Sequence, residues 1–164
     1  MSDELARAVH EALLARGETV AVAESLTGGA LGAAITAVPG VSATFRGGVV
    51  VYATELKASL LGVDPAMLAA RGPVDPHVAV AMAVGVRERL TATWGLATTG
   101  VAGPDPQDGH PPGTVYVAVA GPTDHHVSRL GLPTGAGRAA LRSMTVDAAL
   151  GLVRDAVLRG KTSA

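Results

Sequence analysis

The sequence predicts a single α/β domain, a layered α/β/α fold built on a mixed, mostly parallel sheet. Segments with helical periodicity alternate with short apolar runs over most of the 164 residues. The run Val20–Ala23 is apolar without interruption, as expected for a strand buried on both faces of a parallel sheet. Late in the chain, Thr114–Ala120 and His126–Leu132 flank a turn at Gly121-Pro122, which predicts an antiparallel strand pair.

Capping signals define the predicted helices. Ser2 and Asp3 can cap the first helix, and Gly17 ends it. Asp75-Pro76 provides an N-cap followed by proline at the first helical position of a long helix. The predicted helices are Ser2 to Gly17, Thr27–Val38, Ala53–Leu61, Ala66–Ala70, Pro76–Leu90 and Arg138–Leu158.

Apolar runs bounded by turn residues define the predicted strands. These strands are Thr19–Ala23, Val49–Tyr52, Trp94–Thr99, Thr114–Ala120 and His126–Leu132. Val41–Gly48 is interpreted as a connection, and the Pro- and Gly-rich segment Asp105–Pro112 as a surface loop. Because no repeat or linker divides the chain, residues 1–160 are predicted to form one domain, with a frayed tail at 161–164.

Composition excludes several classes of function. The net charge is −1, no basic run occurs, and only four residues are aromatic, which disfavours nucleic-acid binding. The absence of cysteine excludes a thiol nucleophile and a cysteine-ligated metal. The N-terminal segment does not resemble a signal peptide, and no apolar run is long enough to span a membrane. We therefore expect a soluble, cytoplasmic protein with neither nucleic-acid nor membrane partners.

A polar turn follows the first strand, with the sequence Glu24-Ser25-Leu26-Thr27-Gly28-Gly29. A serine before a helix is most often only an N-cap. One cap does not need two glycines, so Gly28 and Gly29 indicate that something approaches the backbone closely. A helix start also suits an anion or a developing oxyanion. Ser25 is therefore a candidate nucleophile as well as a candidate cap.

A serine nucleophile needs a base. The five histidines lie on helices or near the late loop and hairpin, so a Ser-His-Asp triad is disfavoured. Lys57 lies just past the end of the second strand and can form a Ser–Lys dyad, although a solvated helix charge is an equally good interpretation. Tyr52 is interpreted either as a core ring or as part of the site.

Further polar residues follow the third strand or begin the last helix. Thr98, Thr99, Gly100 and Gly103 either supply backbone N–H groups or only form a tight turn. Arg138 either binds a phosphate or carboxylate or is a solvent-exposed helix residue. Since ligands of α/β sheets bind at the carboxyl ends of strands, the site is expected where the turns after Ala23, Val51 and Ala97 converge.

Several ordered motifs together resemble the CinA C-terminal domain family. They are Glu24–Gly29, Pro39-Gly40, Phe45–Tyr52, Glu55–Lys57, Thr99–Pro104 and Pro112–Tyr116, and the likeness runs from about Leu5 to about Leu158. Within the family, the chain is similar to stand-alone nicotinamide-nucleotide amidases of the PncC type. The resemblance implies an α/β fold and hydrolysis of the carboxamide of nicotinamide mononucleotide to nicotinate mononucleotide and ammonia. It implies neither a metal nor another cofactor, and it is compatible with a homo-oligomer.

The resemblance also implies roles for individual residues. Ser25 corresponds to the family's nucleophile, Lys57 to its lysine and Tyr52 to its tyrosine. The resulting hypothesis places the oxyanion at the backbone of Thr27, Gly28 and Gly29. Donors for the substrate's phosphate are then Arg138 (with Arg142 as second choice for the family's arginine), Arg46, or the turn containing Thr99, Gly100 and Gly103.

Two segments depart from the family pattern. Asp105–His110 replaces a Gly-rich stretch, and Ala53-Thr54-Glu55 stands where Ser-Asn-Glu is frequent. Two other functions stay open at this point. One is a non-catalytic nucleotide-binding or scaffold module in which Ser25 only caps the helix, and the other is a hydrolase for a different small amide.

Overall fold

The computed structural model describes residues 1–160, and the predicted frayed tail lies outside them. The helices are α1 Ser2–Leu14, α2 Ala30–Thr36, α3 Thr54–Leu61, α4 Pro65–Arg71, α5 Pro76–Arg89 and α6 Arg138–Arg159. The strands are β1 Val20–Glu24, β2 Phe45–Val50, β3 Trp94–Gly100, β4 Thr114–Ala120 and β5 His125–Gly131. Within these residues, no helix is long and apolar enough to cross a lipid bilayer.

The five strands form one mixed sheet in the order β2-β1-β3-β4-β5. β1 pairs in parallel with β2 and β3, whereas β4 is antiparallel to both β3 and β5. Four strands therefore point the same way and β4 alone runs against them. This confirms the predicted mostly parallel sheet with a late antiparallel pair, and it brings the carboxyl ends of β1, β2 and β3 side by side.

Helices cover both faces of the sheet, which confirms the layered α/β/α architecture. One core cluster joins α1, α2 and α6 to sheet residues such as Val22, Leu96 and Val117. The other joins α3, α4 and α5 to the opposite face, where the sheet presents Ala23 and Ala97. Consecutive strand residues point to opposite faces, so the alternation of valine and alanine along β1 gives the sheet a bulky face and a small-residue face.

The small-residue face lets α5 pack unusually close to β3. A Cβ added at Gly95 would lie 2.0 Å from the carbonyl oxygen of Ala83 on α5, so only glycine fits there. A similar approach of α5 to the end of α3 requires Gly85, where an added Cβ would lie 2.1 Å from the Leu61 carbonyl oxygen. Backbone contacts therefore set the distances from α5 to the sheet and to α3.

Three element boundaries differ from the prediction by three or more residues. β2 begins at Phe45, within the segment interpreted as a connection, and ends at Val50. Glycine is needed at position 48 for the pairing with β1, because an added Cβ there would lie 2.5 Å from Val22 Cγ2. α2 begins at Ala30 instead of Thr27, because Gly28 and Gly29 have positive φ values of 56° and 99°, outside the right-handed helical region. The first helix also ends at Leu14, three residues before Gly17.

Candidate active site

A cleft of about 510 Å³, including its open mouth, lies at the carboxyl ends of β1, β2 and β3. All three polar turns contribute to its walls, as the sequence predicted. The lining residues are Ser25, Leu26, Tyr52, Thr54, Lys57, Pro73, Val74, Thr99, Gly100, Val101, Ala102, Gly103, Asp105, Gln107 and Arg138.

Ser25 and Lys57 meet in the depth of this cleft. Lys57 Nζ donates to Ser25 Oγ at 3.2 Å and to the carbonyl oxygen of Val51 at 2.8 Å. Lys57 is 1% exposed, which removes the alternative that it is a solvated helix charge. The first turn of α3 places the lysine here, directly after the turn that ends β2.

Burial changes the ionisation of this lysine. Desolvation lowers the pKa of Lys57 to about 8, against a smaller opposing effect of the Glu55 carboxylate. A buried ammonium is costly when no carboxylate contacts it. Both partners of Nζ are uncharged oxygens, so a substantial fraction of Lys57 is neutral near physiological pH. A neutral amine beside a serine hydroxyl has the arrangement of a general base.

The turn at residues 25–29 carries the candidate nucleophile Ser25, and we name it the nucleophile turn for that reason. Glu24 fixes this turn from one side. The Glu24 side chain is 2% exposed, and its carboxylate accepts N–H bonds from Gly29, Leu31 and Gly32 at 3.0, 3.0 and 2.8 Å. These donors belong to the start of α2, where backbone N–H groups have no partner within the helix. The carboxylate therefore caps α2 from the residue preceding Ser25.

Arg142, on α6, contacts the same turn from the other side. Its Nε donates to the carbonyl oxygen of Leu26 at 3.1 Å and its Nη2 to that of Thr27 at 2.8 Å. Arg142 was only the second choice for the family's arginine, and the structure keeps it out of the cleft wall. It binds the backbone of the nucleophile turn.

The predicted oxyanion site at Thr27, Gly28 and Gly29 is wrong for the N–H groups of the two glycines. The Gly28 N–H bonds to the Ser25 carbonyl oxygen at 3.1 Å and the Gly29 N–H bonds to Glu24, so neither is free for a substrate. The Thr27 hydroxyl lies 2.9 Å from that of Thr98 and is fully buried. Among residues 1–160, the N–H groups of Leu26 and Thr27 donate to no acceptor, and Leu26 lines the cleft.

Tyr52 and Arg138 form the rim of the cleft. Tyr52 is 58% exposed, which excludes the interpretation as a core ring. Its hydroxyl accepts from Arg138 Nη2 at 2.9 Å, and Arg138 Nη1 donates to the Gly103 carbonyl oxygen at 2.7 Å. Arg138 thus bridges the turns that follow β2 and β3. The contact seen for Tyr52 is with this arginine and not with the Ser25–Lys57 pair.

The turn after β3 has a largely structural explanation. The Thr99 hydroxyl donates to the Pro73 carbonyl oxygen at 2.6 Å. A Cβ at Gly100 would lie 2.6 Å from the Thr114 carbonyl oxygen, and one at Gly103 would lie 2.9 Å from Pro112. Both glycines are therefore required by close packing, and they form one wall of the cleft.

Arg46 is not brought to the site. It lies at the amino end of β2, where the pairing with β1 shifts register between Val20 and Ala21, and its Nε donates to the Leu90 carbonyl oxygen at 3.1 Å. The cleft is at the opposite end of the sheet, so Arg46 cannot contact a ligand there. None of the five histidines lines the cleft either.

Glu24 is the residue whose role the sequence analysis missed. A carboxylate at the end of an otherwise apolar buried strand is a usable signal, because a buried charge requires partners. Thr54, Asp105 and Gln107 also line the cleft without having been predicted. Asp105 and Gln107 belong to the atypical loop, which folds back through paired backbone bonds between Gln107 and His110. Among residues 1–160, no three His, Asp or Glu side chains cluster closely enough to hold a metal ion.

Comparison with known proteins identifies the family. The chain matches the CinA C-terminal domain over residues 2–157. It is 53% identical over 152 residues to a CinA-like protein of Frankia casuarinae and 46% identical over 157 residues to one of Gloeobacter violaceus. The matched regions cover 93% and 95% of this chain but only 35% and 37% of those proteins, so the chain spans about a third of their length.

Solved structures show the same fold. The competence/damage inducible protein CihA of Agrobacterium tumefaciens superposes with a TM-score of 0.90 at 32% identity, covering 95% of this chain and 94% of that one. A competence-damaged protein (CinA) superfamily protein of Klebsiella pneumoniae superposes with a TM-score of 0.92 at 30% identity, covering 97% and 99%. The agreement of sequence, fold and motif order is sufficient for an assignment: the chain belongs to the CinA C-terminal domain family.

Proposed function

We propose that the protein is a serine–lysine amidohydrolase that deamidates nicotinamide mononucleotide. The observation that carries the proposal is the buried lysine whose Nζ lies 3.2 Å from Ser25 Oγ inside a cleft. The reaction class follows from this pair, since an amine of lowered pKa can activate a serine hydroxyl. The substrate follows from the family resemblance alone.

The first half of the reaction forms an acyl-enzyme. Neutral Lys57 takes the proton of the Ser25 hydroxyl, and Oγ attacks the carboxamide carbon to give a tetrahedral intermediate. The C–N bond then breaks, and the proton held by Lys57 passes to the departing nitrogen, which leaves as ammonia. The products of this half are an ester on Ser25 and a neutral Lys57.

The oxyanion of the intermediate needs donors near Ser25. The N–H of Leu26 is the proposed donor. Leu26 follows Ser25 directly and lines the cleft, and its N–H has no acceptor among residues 1–160. The residue after the nucleophile supplies one oxyanion donor in other serine hydrolases. Such a donor typically contributes about 3 kcal/mol to transition-state stabilisation.

Hydrolysis of the ester completes the cycle. Lys57 takes a proton from water as the water oxygen attacks the ester carbon, and the same proton returns to Ser25 Oγ as the C–O bond breaks. The carboxylate product leaves and the dyad is restored. One amide and one water have become one carboxylic acid and one ammonia, so atoms and protons balance.

Arg138 is the proposed donor for the substrate's phosphate. Its guanidinium lines the cleft mouth and uses two hydrogen bonds, to Tyr52 and Gly103, out of five available N–H donors. A phosphate can accept from the remaining donors or replace the tyrosine hydroxyl. Arg138→Ala is therefore expected to raise KM for the nucleotide with a smaller effect on kcat.

The test is ammonia release from nicotinamide mononucleotide and from free nicotinamide. Ser25→Ala and Lys57→Ala are expected to lose at least about 1,000-fold in kcat, the scale on which members of such catalytic units act. Ser143→Ala, an exposed serine on α6, is the matched control and should retain full activity. Near wild-type activity in either site variant would exclude the dyad.

Two results would favour a different function for the protein. Binding of the nucleotide without ammonia release, measured by calorimetry beside the same assay, favours a non-catalytic nucleotide-binding module. Turnover of several small amides regardless of a phosphate favours an amidase of different specificity.

A further inference from the structure

Arg142 is half-buried, and its guanidinium binds backbone carbonyl groups instead of a carboxylate. Its two hydrogen bonds go to the carbonyl oxygens of Leu26 and Thr27, which are consecutive residues of the nucleophile turn. Among residues 1–160, no carboxylate lies within ion-pair distance of it. Hydrogen bonds from a charged donor are roughly twice as strong as neutral ones, so the arginine holds this backbone firmly.

Gly28 fits the same arrangement. A Cβ added there would lie 3.4 Å from Arg142 Nη2, and the φ of Gly28 is +56°, a conformation that glycine adopts without strain. The absence of a Cβ at Gly28 therefore lets the backbone of the turn lie close to the Arg142 guanidinium. The glycine at position 28 thus has a structural reason that is separate from oxyanion binding.

The backbone of the turn is consequently fixed on both sides. Glu24 accepts from N–H groups at the start of α2, and Arg142 donates to the carbonyl groups of Leu26 and Thr27. Peptide units are planar, with C=O and N–H pointing in opposite directions. Holding the Leu26 carbonyl therefore also fixes the direction of the Thr27 N–H, and it restricts the backbone that carries Ser25.

We propose that Arg142 is a positioning residue for Ser25: it sets the geometry of the nucleophile turn and so the alignment of Oγ with Lys57 and with the substrate carbon. It does not line the cleft and touches no reacting atom. The proposal rests on the proposed function in one respect, that Ser25 is the nucleophile. A displacement of about 1 Å in such a group can cost about 100-fold in rate.

The experiment measures Ser25 reactivity independently of the natural substrate. A fluorophosphonate probe forms a bond from Ser25 Oγ to phosphorus and releases fluoride, and its labelling rate reports nucleophile alignment. The variants are Arg142→Ala and Arg142→Lys. The control is Arg154→Ala, an arginine on the same helix whose exposed pairing with Asp155 is remote from the turn.

Arg142→Ala is expected to label about 100-fold more slowly than wild type, and Arg142→Lys to fall between the two, because one ammonium cannot hold both carbonyls in a fork. Arg154→Ala should label at the wild-type rate. In the ammonia assay, Arg142→Ala should lose kcat with little change in KM, since the cleft wall is intact.

Added guanidinium ion distinguishes positioning from a general loss of stability. A few millimolar guanidinium, far below denaturing concentrations, is expected to restore part of the labelling rate of Arg142→Ala and to leave wild type unchanged. Labelling of folded Arg142→Ala at the wild-type rate overturns the proposal. If this variant does not fold, Arg142→Lys decides, and a wild-type labelling rate in that protein overturns the proposal equally.

The outcomes also separate this proposal from the proposed function. Wild type that is labelled at Ser25 but releases no ammonia from the nucleotide contradicts the substrate and leaves the role of Arg142 supported. Wild type that releases ammonia while the Arg142 variants match it in both assays supports the function and removes the positioning role. A wild type that the probe cannot label overturns both the nucleophile and its positioning.

Discussion

At the scale of single residues, the proposed mechanism makes activity depend on the ionisation of Lys57. Its pKa is lowered to about 8 by burial, and only its neutral form can accept the serine proton. kcat/KM is therefore expected to rise about tenfold per pH unit below pH 8 and to level off above it. Ammonia release measured from pH 6 to 10 checks this. A flat profile, or one falling through pH 8, would contradict the general-base role.

The same lysine is expected to reduce stability. Its pKa in the unfolded chain is close to 10.5 and in the folded protein about 8, so between these values the unfolded state binds more protons and stability increases with pH. Below about pH 8 the folded protein carries a buried ammonium at full cost. Lys57→Met should therefore unfold at higher urea concentration than wild type at pH 7.

The pH dependence provides the control for this substitution. The advantage of Lys57→Met should shrink as the pH is raised toward 10.5, because wild-type Lys57 is then neutral in the folded state. Equal urea midpoints at pH 7, together with loss of activity, would mean that the buried lysine costs nothing. A stabilising substitution that removes activity is the trade-off expected at a catalytic site.

At the scale of elements, the close contact between α5 and β3 depends on Gly95, whose side chain is a single hydrogen atom. Gly95→Ala would place a Cβ 2.0 Å from the Ala83 carbonyl oxygen, a backbone atom that cannot rotate away. We expect destabilisation by about 3 kcal/mol, at the upper end for overpacking. Urea unfolding measures it.

A second strand glycine is the matched control. A Cβ at Gly131 on β5 would meet no atom within 4 Å, so Gly131→Ala should change stability by about 0.5 kcal/mol or less. Equal effects of the two substitutions would show that the tight contact with α5 does not limit stability.

The sequence predicts most elements well and fails at glycines. The helix cap at Asp75 and the uninterrupted apolar run of β1 are local signals, and the structure has these elements where they were predicted. Gly47 and Gly48 were included in the predicted connection Val41–Gly48, whereas both lie in β2. Gly48 allows a close approach to Val22 on β1, and because Val22 is more than twenty residues away in the sequence, no local pattern reveals that contact.

At the scale of the whole molecule, two core clusters lie on opposite faces of one sheet. Because both clusters pack against the same five-stranded sheet, we expect residues 1–160 to unfold as one unit. Trp94 on β3 reports its surroundings by fluorescence, and far-ultraviolet circular dichroism reports the helices. The two urea transitions should coincide, and separated midpoints would contradict a single domain.

The sequence predicts the location of the site, because the ends of the strands are visible in it, but not the position of every side chain. The convergence of three turns follows from the parallel order of β1, β2 and β3, and the distance between Ser25 and Lys57 agrees with that prediction. Arg46 was placed wrongly because a strand begins four residues earlier than expected, which moves that side chain to the opposite end of the sheet. Arg142 could not be assigned, since its partners are backbone carbonyls and leave no pattern in the sequence.

One further consequence follows from the partners of Lys57. Val51 N–H donates to the Glu24 carbonyl oxygen at 2.8 Å, and the Val51 carbonyl oxygen accepts from Lys57 Nζ, which also donates to Ser25. The peptide bond between Glu24 and Ser25 and these three hydrogen bonds therefore form a closed ring, which passes through the side chains of Ser25 and Lys57. Local opening of the sheet margin at Val51 would break that ring, so the solvent exchange rate of the Val51 amide hydrogen reports how often the dyad comes apart.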